Sequence, residues 1–348
     1  MKDSSIHYSD YLHLNKLLDA QYPVSDAKGQ PAHDEMLFII IHQAYELWFK
    51  QLLNEVESVA EIMKRPSLND NSPELQTVVH RLSRCSTILK VLVHQIDVME
   101  TMTPMDFLDF RDMLRPASGF QSWQFKVLEA RLGLKYEHRF GQQYYLSQLR
   151  PAQVALIQKA ENEKSLLELV NGWLERMPFF SETAIWERFV SSEHRQGVHV
   201  FWSEYERRYR DSLADQEKQN AEAFLQLFMA SAAGTDRSLS AAACRSALFI
   251  MLYRGYPVLQ LPFQLLNQLL EIDEQLSTWR YRHMSMVHRM IGTRIGTGGS
   301  TGRDYLKSAL DKHYIFKDIA GLTSFLIERK KLPQLSPEME TRLGFVQR

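Results

Sequence analysis

Residues 33–63 read HDEMLFIIIHQAYELWFKQLLNEVESVAEIM. Leu37, Ile41, Ala44, Trp48, Leu52, Val56, Val59 and Met63 recur at three- and four-residue steps, the spacing of one face of a helix. Phe38, His42, Tyr45 and Phe49 form a second stripe beside the first. The combined apolar arc is wider than a surface helix needs, so the pattern predicts a long helix nearly surrounded by protein.

The same periodicity continues outward from this segment. It predicts helices over 73–99, 151–175, 199–229, 239–253 and 262–289, with prolines opening those at 73, 151 and 262. Connections are expected at 65–71, 181–183, 232–237 and 291–302, and no alternating strand pattern occurs. Only 15 Gly and 12 Pro are spread over 348 residues, well under the roughly 12% that an average protein carries. Together these features predict an all-α fold, a single large helical bundle domain with an N-terminal extension and helical additions.

A net charge of −1 recommends neither nucleic acid nor an anionic membrane as partner, which leaves a small molecule as the natural ligand. Cys85 and Cys244 lie far apart and are too few for a disulfide framework, so they read as buried thiols in a reducing compartment. The start, MKDSSIHYSDY, lacks the apolar core of a signal peptide, and purely apolar runs such as Leu37 to Ile41 are far too short to span a bilayer. A soluble, cytoplasmic protein is the expectation.

Three places carry chemistry-bearing residues. His42 stands one turn after Phe38 and one turn before Tyr45, which aims it into an aromatic space, either as a core histidine bonded to a backbone carbonyl or as a working group. In DFLDFRDMLRPASGFQS, 106–122, Arg111 shares a helical face with Phe107, Phe110 and Leu114. A guanidinium set among apolar groups demands a carboxylate, from a neighbouring aspartate or from a ligand. In WRYRHMSMVHRMIGTRIGTGGSTG, 279–302, a basic, Met-rich helix runs into a glycine-rich loop. Arg280, Arg282, Arg289 and Arg294 form either a solvated face or a set of partners for anionic groups of a cofactor, and His283 and His288 are each candidate metal ligands. No Lys-Ser or Lys-Thr follows the glycines and a helix precedes them, which argues against a phosphate loop. HExxH, ExxH and CxxCH are all absent, whereas a non-covalent haem needs only one histidine, an apolar slot and cations for its propionates.

YSDYLHL at 8–14, the helix at 33–51, ETMTPMDFLDFRDMLRPASGFQS at 100–122 and the segment at 279–302 together resemble the tryptophan 2,3-dioxygenase family. The resemblance implies a homotetrameric enzyme containing haem b, ferrous in its active form, in a pocket within the bundle. Such an enzyme inserts both atoms of O2 across the indole C2–C3 bond of L-tryptophan, giving N-formyl-L-kynurenine, the first step of tryptophan degradation by the kynurenine pathway. It further implies that His283 is the iron's axial ligand and that His42 faces the indole N–H. Arg111 would grip the substrate carboxylate, Thr297 would contact its ammonium and carboxylate, and Phe38, Phe107 and Leu114 would line the pocket. By the same resemblance, residues 1–32 form a segment that contacts a neighbouring subunit, with Tyr8, Tyr11 and Leu12 completing that subunit's site, and 33–348 form the catalytic domain. The loop departs from the family's usual Ser-Ser-Gly-Tyr at Thr301, a conservative change, and at Arg303, which replaces the tyrosine.

Overall fold

The computed structural model describes residues 6–139, 142–176, 200–229, 237–294 and 313–344. Counting helices of eight residues or more, these hold α1 (His33–Met63), α2 (Pro73–Met99), α3 (Pro104–Arg111), α4 (Trp123–Leu132), α5 (Pro151–Asn162), α6 (Leu166–Glu175), α7 (Val200–Ser212), α8 (Ala241–Leu252) and α9 (Pro257–Ile291). No strand occurs among the described residues, so the fold is all-α as the periodicity predicted.

Local chemistry sets the ends of the long helices. Asp34 and Glu35 occupy the first turn of α1, where negative charge suits the helix dipole. The Glu35 carboxylate also accepts the backbone N–H groups of Val24 (2.8 Å) and Ser25 (2.9 Å), which ties the preceding segment to the start of α1. Ser72 caps α2 by accepting the Leu75 N–H, and Pro73 fills the first helical position, where no N–H is needed.

Packing then follows from the apolar stripes. α2 lies between α1 and α9 and touches both, while α4 packs on α1 and α5 packs on α4. Leu52, Val56 and Val59 of α1, Leu75, Val78 and Leu82 of α2, and Leu265, Leu266 and Leu269 of α9 are all buried at this junction. Each contributes about 1.5–3 kcal/mol of apolar burial, which is why these helices hold their register.

Several expectations need correction. α1 is not nearly surrounded, because Met36, Ile40 and Leu47 are exposed and Trp48 is 36% exposed. Its neighbours α2, α3, α4 and α6 leave part of the apolar arc open. The helix expected over 151–175 is two helices, divided where Ser165 caps α6 and Glu168 bonds back to the Ser165 N–H. The stretch 199–229 breaks after Ser212 into a 3-10 turn, a short helix at Asn220–Phe224 and a π turn at Leu225–Met229. Finally, α9 starts at Pro257 and runs through Pro262, because Pro257 takes the first position and Pro262 forfeits only one early hydrogen bond.

The N-terminal segment makes two short turns, Tyr8–Tyr11 and Leu14–Leu17, neither of which contains a buried residue. Cys85 and Cys244 are unpaired and buried, and burial pushes both thiols up to about 12, which leaves them inert. No described helix is long and apolar enough to cross a membrane.

Candidate functional site

One cavity of about 320 Å³ opens between α1, α3, α4 and α9. Phe38, His42, Tyr45 and Phe49, the second stripe of α1, supply one wall, and Phe107 and Arg111 of α3 supply another. α9 contributes Trp279, Arg280 and His283, and α4 contributes Phe125, Lys126 and Glu129. The helical repeat of three to four residues thus brings four distant segments to one space.

His42 holds its place through a bond from its ring Nδ1 to the Phe38 carbonyl oxygen, 2.7 Å away. A carbonyl only accepts, so Nδ1 carries the proton and the neutral ring presents an Nε2 lone pair. Burial lowers the His42 pKa against the opposing pull of this bond and of the Glu46 carboxylate, which favours the neutral form. Phe38 packs on the same imidazole with ring centroids 4.1 Å apart and reaches Phe107 at 5.7 Å, forming an aromatic shelf. The carbonyl bond expected of a core histidine is therefore present, yet the same ring lines the cavity.

His283 differs in that its ring makes no hydrogen bond to any described residue, and its buried Nδ1 is left without a partner. Structural core histidines are normally satisfied, so this one is free to coordinate. Burial, reinforced by His42, pushes its pKa down to about 4, keeping the imidazole neutral as a metal ligand must be. Trp279 stacks on the ring at 5.2 Å with the planes 7° apart. Trp279 is itself wedged against Phe125 at 5.0 Å and Tyr45 at 6.0 Å.

The alternatives left open by the sequence now separate. His288 is exposed, whereas His283 faces the cavity, and the described residues contain no cluster of three or more His, Cys, Asp or Glu that would hold a bare metal ion. Arg282 pairs with Asp97 (2.7 Å) and Glu100 (3.1 Å) near the surface, and Arg289 and Arg294 are solvated. Arg280, in contrast, is buried and pairs with Glu129. Arg111 is 3% exposed and borders the cavity.

Other residues singled out by the sequence lie elsewhere. Leu114 does not border the cavity among the described residues; the chain tightens to a 3-10 turn at Asp112–Leu114, and Leu114 packs half-buried on the core. Tyr8, Tyr11 and Leu12 are exposed and stand apart from this chain's own cavity. Thr297, with the rest of the glycine-rich stretch 295–302, lies outside the described residues, as do Arg303 and the connection at 181–183.

Sequence reasoning overlooked Lys126, Glu129 and Arg139, which border the cavity and are buried. The signal was present, because Lys126 and Glu129 stand three residues apart among Phe125, Val127, Leu128 and Ala130, charges set in an apolar turn as Arg111 is.

A sequence model of the tryptophan 2,3-dioxygenase family matches residues 1–326. The chain is 42% identical to the tryptophan 2,3-dioxygenase of Bdellovibrio bacteriovorus, with 99% of each chain covered. It is 44% identical to that of Alteromonas mediterranea over 97% of each chain, and 43% identical to that of Xenopus tropicalis over 95% of this chain and 85% of the relative.

Proposed function

The chain belongs to the tryptophan 2,3-dioxygenase family, and from that premise we propose that it inserts both atoms of O2 across the indole C2–C3 bond of L-tryptophan, giving N-formyl-L-kynurenine. This would be the entry step of tryptophan degradation by the kynurenine pathway. The observation that carries the reading is the convergence of a lone-pair-presenting His42, a hydrogen-bond-free His283 and a buried Arg111 on one aromatic cavity.

The residues present fit a haem. His283 offers an uncommitted neutral imidazole, Trp279 fixes its plane, apolar side chains make up most of the cavity wall, and Lys126, Arg139 and Arg280 supply buried cations. His283 would hold the iron. Ferrous haem b, when bound, supplies the activation of O2.

The chain's own side chains bind and orient. Arg111 presents a planar fork to the substrate α-carboxylate, which makes a free amino acid a better substrate than an amine such as tryptamine. His42 Nε2 accepts the indole N–H and sets the ring's direction. With its pKa lowered, this imidazole is far too weak a base to remove an indole proton, so it holds the proton at nitrogen. Phe38 and Phe107 flank the indole and exclude water. Thr297 would contact the ammonium and carboxylate. In the balanced reaction the C2–C3 bond breaks, each carbon gains one oxygen, and no external reductant is consumed.

The assembly belongs to the same proposal. Ile6, Tyr8, Tyr11, Leu12 and Leu18 leave a largely apolar N-terminal segment in solvent, and α1 exposes Ile40 and Leu47. Faces of this kind are normally covered. A homotetramer in which residues 1–32 reach a neighbouring site, with Tyr8, Tyr11 and Leu12 completing its pocket, would cover them. Light scattering in solution tests the stoichiometry, and a monomer would remove this part. The free buried thiols agree with a cytoplasmic location.

The decisive experiment is anaerobic reduction of the haem-loaded protein followed by L-tryptophan and isotopically labelled O2. N-formylkynurenine carrying two labelled atoms is the expected product. Incorporation of one atom, or no turnover by ferrous protein, overturns the assignment.

A further inference from the structure

Beside His283 the cavity is bordered by a group of buried charges, Lys126, Glu129, Arg139 and Arg280, whose separate roles toward the haem the fit alone does not assign. The Glu129 carboxylate is fully committed: one oxygen accepts from Arg139 Nη1 at 2.5 Å and the other from Arg280 Nη2 at 2.6 Å. Arg139 also donates to the Leu134 carbonyl (3.0 Å) and the Lys126 carbonyl (3.3 Å), and Arg280 donates to the His313 carbonyl (3.2 Å). The two arginines and Glu129 are therefore a closed frame, rigid because every element is held from two directions.

Lys126 stands outside that frame. It is 7% exposed, and no carboxylate among the described residues pairs with its ammonium. Its Nζ rests over the Tyr145 ring, 4.7 Å from the centroid, and the Arg139 guanidinium lies over the same ring at 4.0 Å. Glu161 approaches Arg139 Nε only to 3.8 Å, and burial raises its pKa despite Arg139, so it compensates weakly. Three cations thus share one fully ionised buried carboxylate. His313 adds no charge near neutrality, since burial pushes its pKa down to about 4.

An unpaired ammonium out of water is costly, and burial pulls the pKa of Lys126 down to about 8 against the partial support of Glu129. A ring face does not replace a hydrogen-bonding anion. The arrangement becomes favourable once a carboxylate enters from the cavity, because a charge-assisted bond in a low-dielectric site is strong. The substrate carboxylate is claimed by Arg111, which a different helix supplies. The remaining carboxylates are those of the cofactor.

We propose that Lys126 anchors a propionate of the haem, with the Glu129–Arg139–Arg280 frame holding it in position at the cavity wall. The inference rests on the haem reading above. It concerns a residue that positions the cofactor and touches neither substrate nor the reacting atoms.

The test compares haem with its dimethyl ester, in which the propionates carry no charge. Wild-type protein, Lys126→Met and Lys126→Arg are loaded with each form, and affinity is followed by the Soret band and by the rate of haem loss to an excess of apomyoglobin. Lys126→Met is expected to weaken haem binding about tenfold or more and to leave binding of the ester unchanged, with Lys126→Arg close to wild type. Thermal unfolding of unloaded protein supplies a second readout. Removing an unpaired buried charge should leave the unloaded Lys126→Met protein at least as stable as wild type, whereas loss of a merely structural lysine would lower its melting temperature. Equal losses for haem and ester, or a wild-type protein that does not distinguish them, overturns the proposal. A wild-type protein that binds neither form overturns the haem reading and this inference with it.

Discussion

Trp279 lies face to face with His283, ring centroids 5.2 Å apart and planes 7° from parallel, one helical turn before it on α9. With no hydrogen bond to hold it, the imidazole owes its orientation to this contact. Trp279→Ala should cost about 3–5 kcal/mol through the lost packing and leave the ring free to rotate, whereas Trp279→Phe should retain most of both. Resonance Raman of the ferrous haem protein checks this: the iron–histidine band should broaden or shift in the alanine variant alone. A sharp wild-type band in Trp279→Ala would count against the role.

Two arginines of one motif should behave oppositely. Arg280 is buried and shares Glu129 with Arg139, so Arg280→Ala leaves the network unbalanced and should cost roughly 3–5 kcal/mol. Arg282 pairs with Asp97 and Glu100 near the surface, and Arg282→Ala should stay within about 1 kcal/mol. Urea denaturation of the two variants distinguishes them, and similar midpoints would contradict the difference in burial.

Acid stability should trace to Glu129. Burial alone would raise its pKa, but Arg139 and Arg280 overrule that and hold the carboxyl well below the ordinary carboxylate range. A depressed folded-state pKa gives stability that is full above the unfolded value, about 4.3, and is lost as pH falls towards the folded value. Glu129→Gln should therefore be less stable at pH 7 and show a shallower loss of urea midpoint between about pH 5 and pH 2. Parallel pH curves for the two proteins would show that the carboxylate charge plays no such part.

His42→Ala should keep its haem and lose only part of its activity, about tenfold in kcat/KM for L-tryptophan, the worth of one hydrogen bond. The sharper reading comes from 1-methyl-L-tryptophan, which has no indole N–H to donate. Wild type should discriminate against it and His42→Ala should largely cease to. Undiminished discrimination would mean that His42 Nε2 does not accept a hydrogen bond from the indole N–H.

Arg111→Lys conserves charge but loses the planar fork, so KM for L-tryptophan should rise about tenfold or more with a smaller fall in kcat. Steady-state kinetics with L-tryptophan and tryptamine checks it, since the variant should also lose part of its preference for the amino acid. An unchanged KM would place the substrate carboxylate elsewhere.

The long helices were legible because their signals are local. The ends of α1 and α2 match the predicted 33–63 and 73–99, where stripes, the Ser72–Pro73 start and acidic first turns all lie within a few residues of one another. The break before α6 was equally local, since Ser165 and Glu168 form a capping box within the predicted 151–175 helix, but apolar periodicity carried through it and hid the stop. Pro262 lies inside α9 instead of opening it, because a proline near a helix start is tolerated as well as favoured.

From the sequence alone came an all-α chain, two histidines and an arginine at its apolar faces, and four segments of one family. Tertiary structure decided what those residues meet. His283 and His288 sit on one helix and are both plausible ligands by type; packing of α9 against its neighbours puts the first in the cavity and the second in solvent. Glu129 and Arg280 are 151 positions apart and bond at 2.6 Å, and Lys126 loses its water only when α4 is packed into the bundle. Helix formation depends on neighbours in sequence, whereas desolvation and pairing of charge depend on neighbours in space.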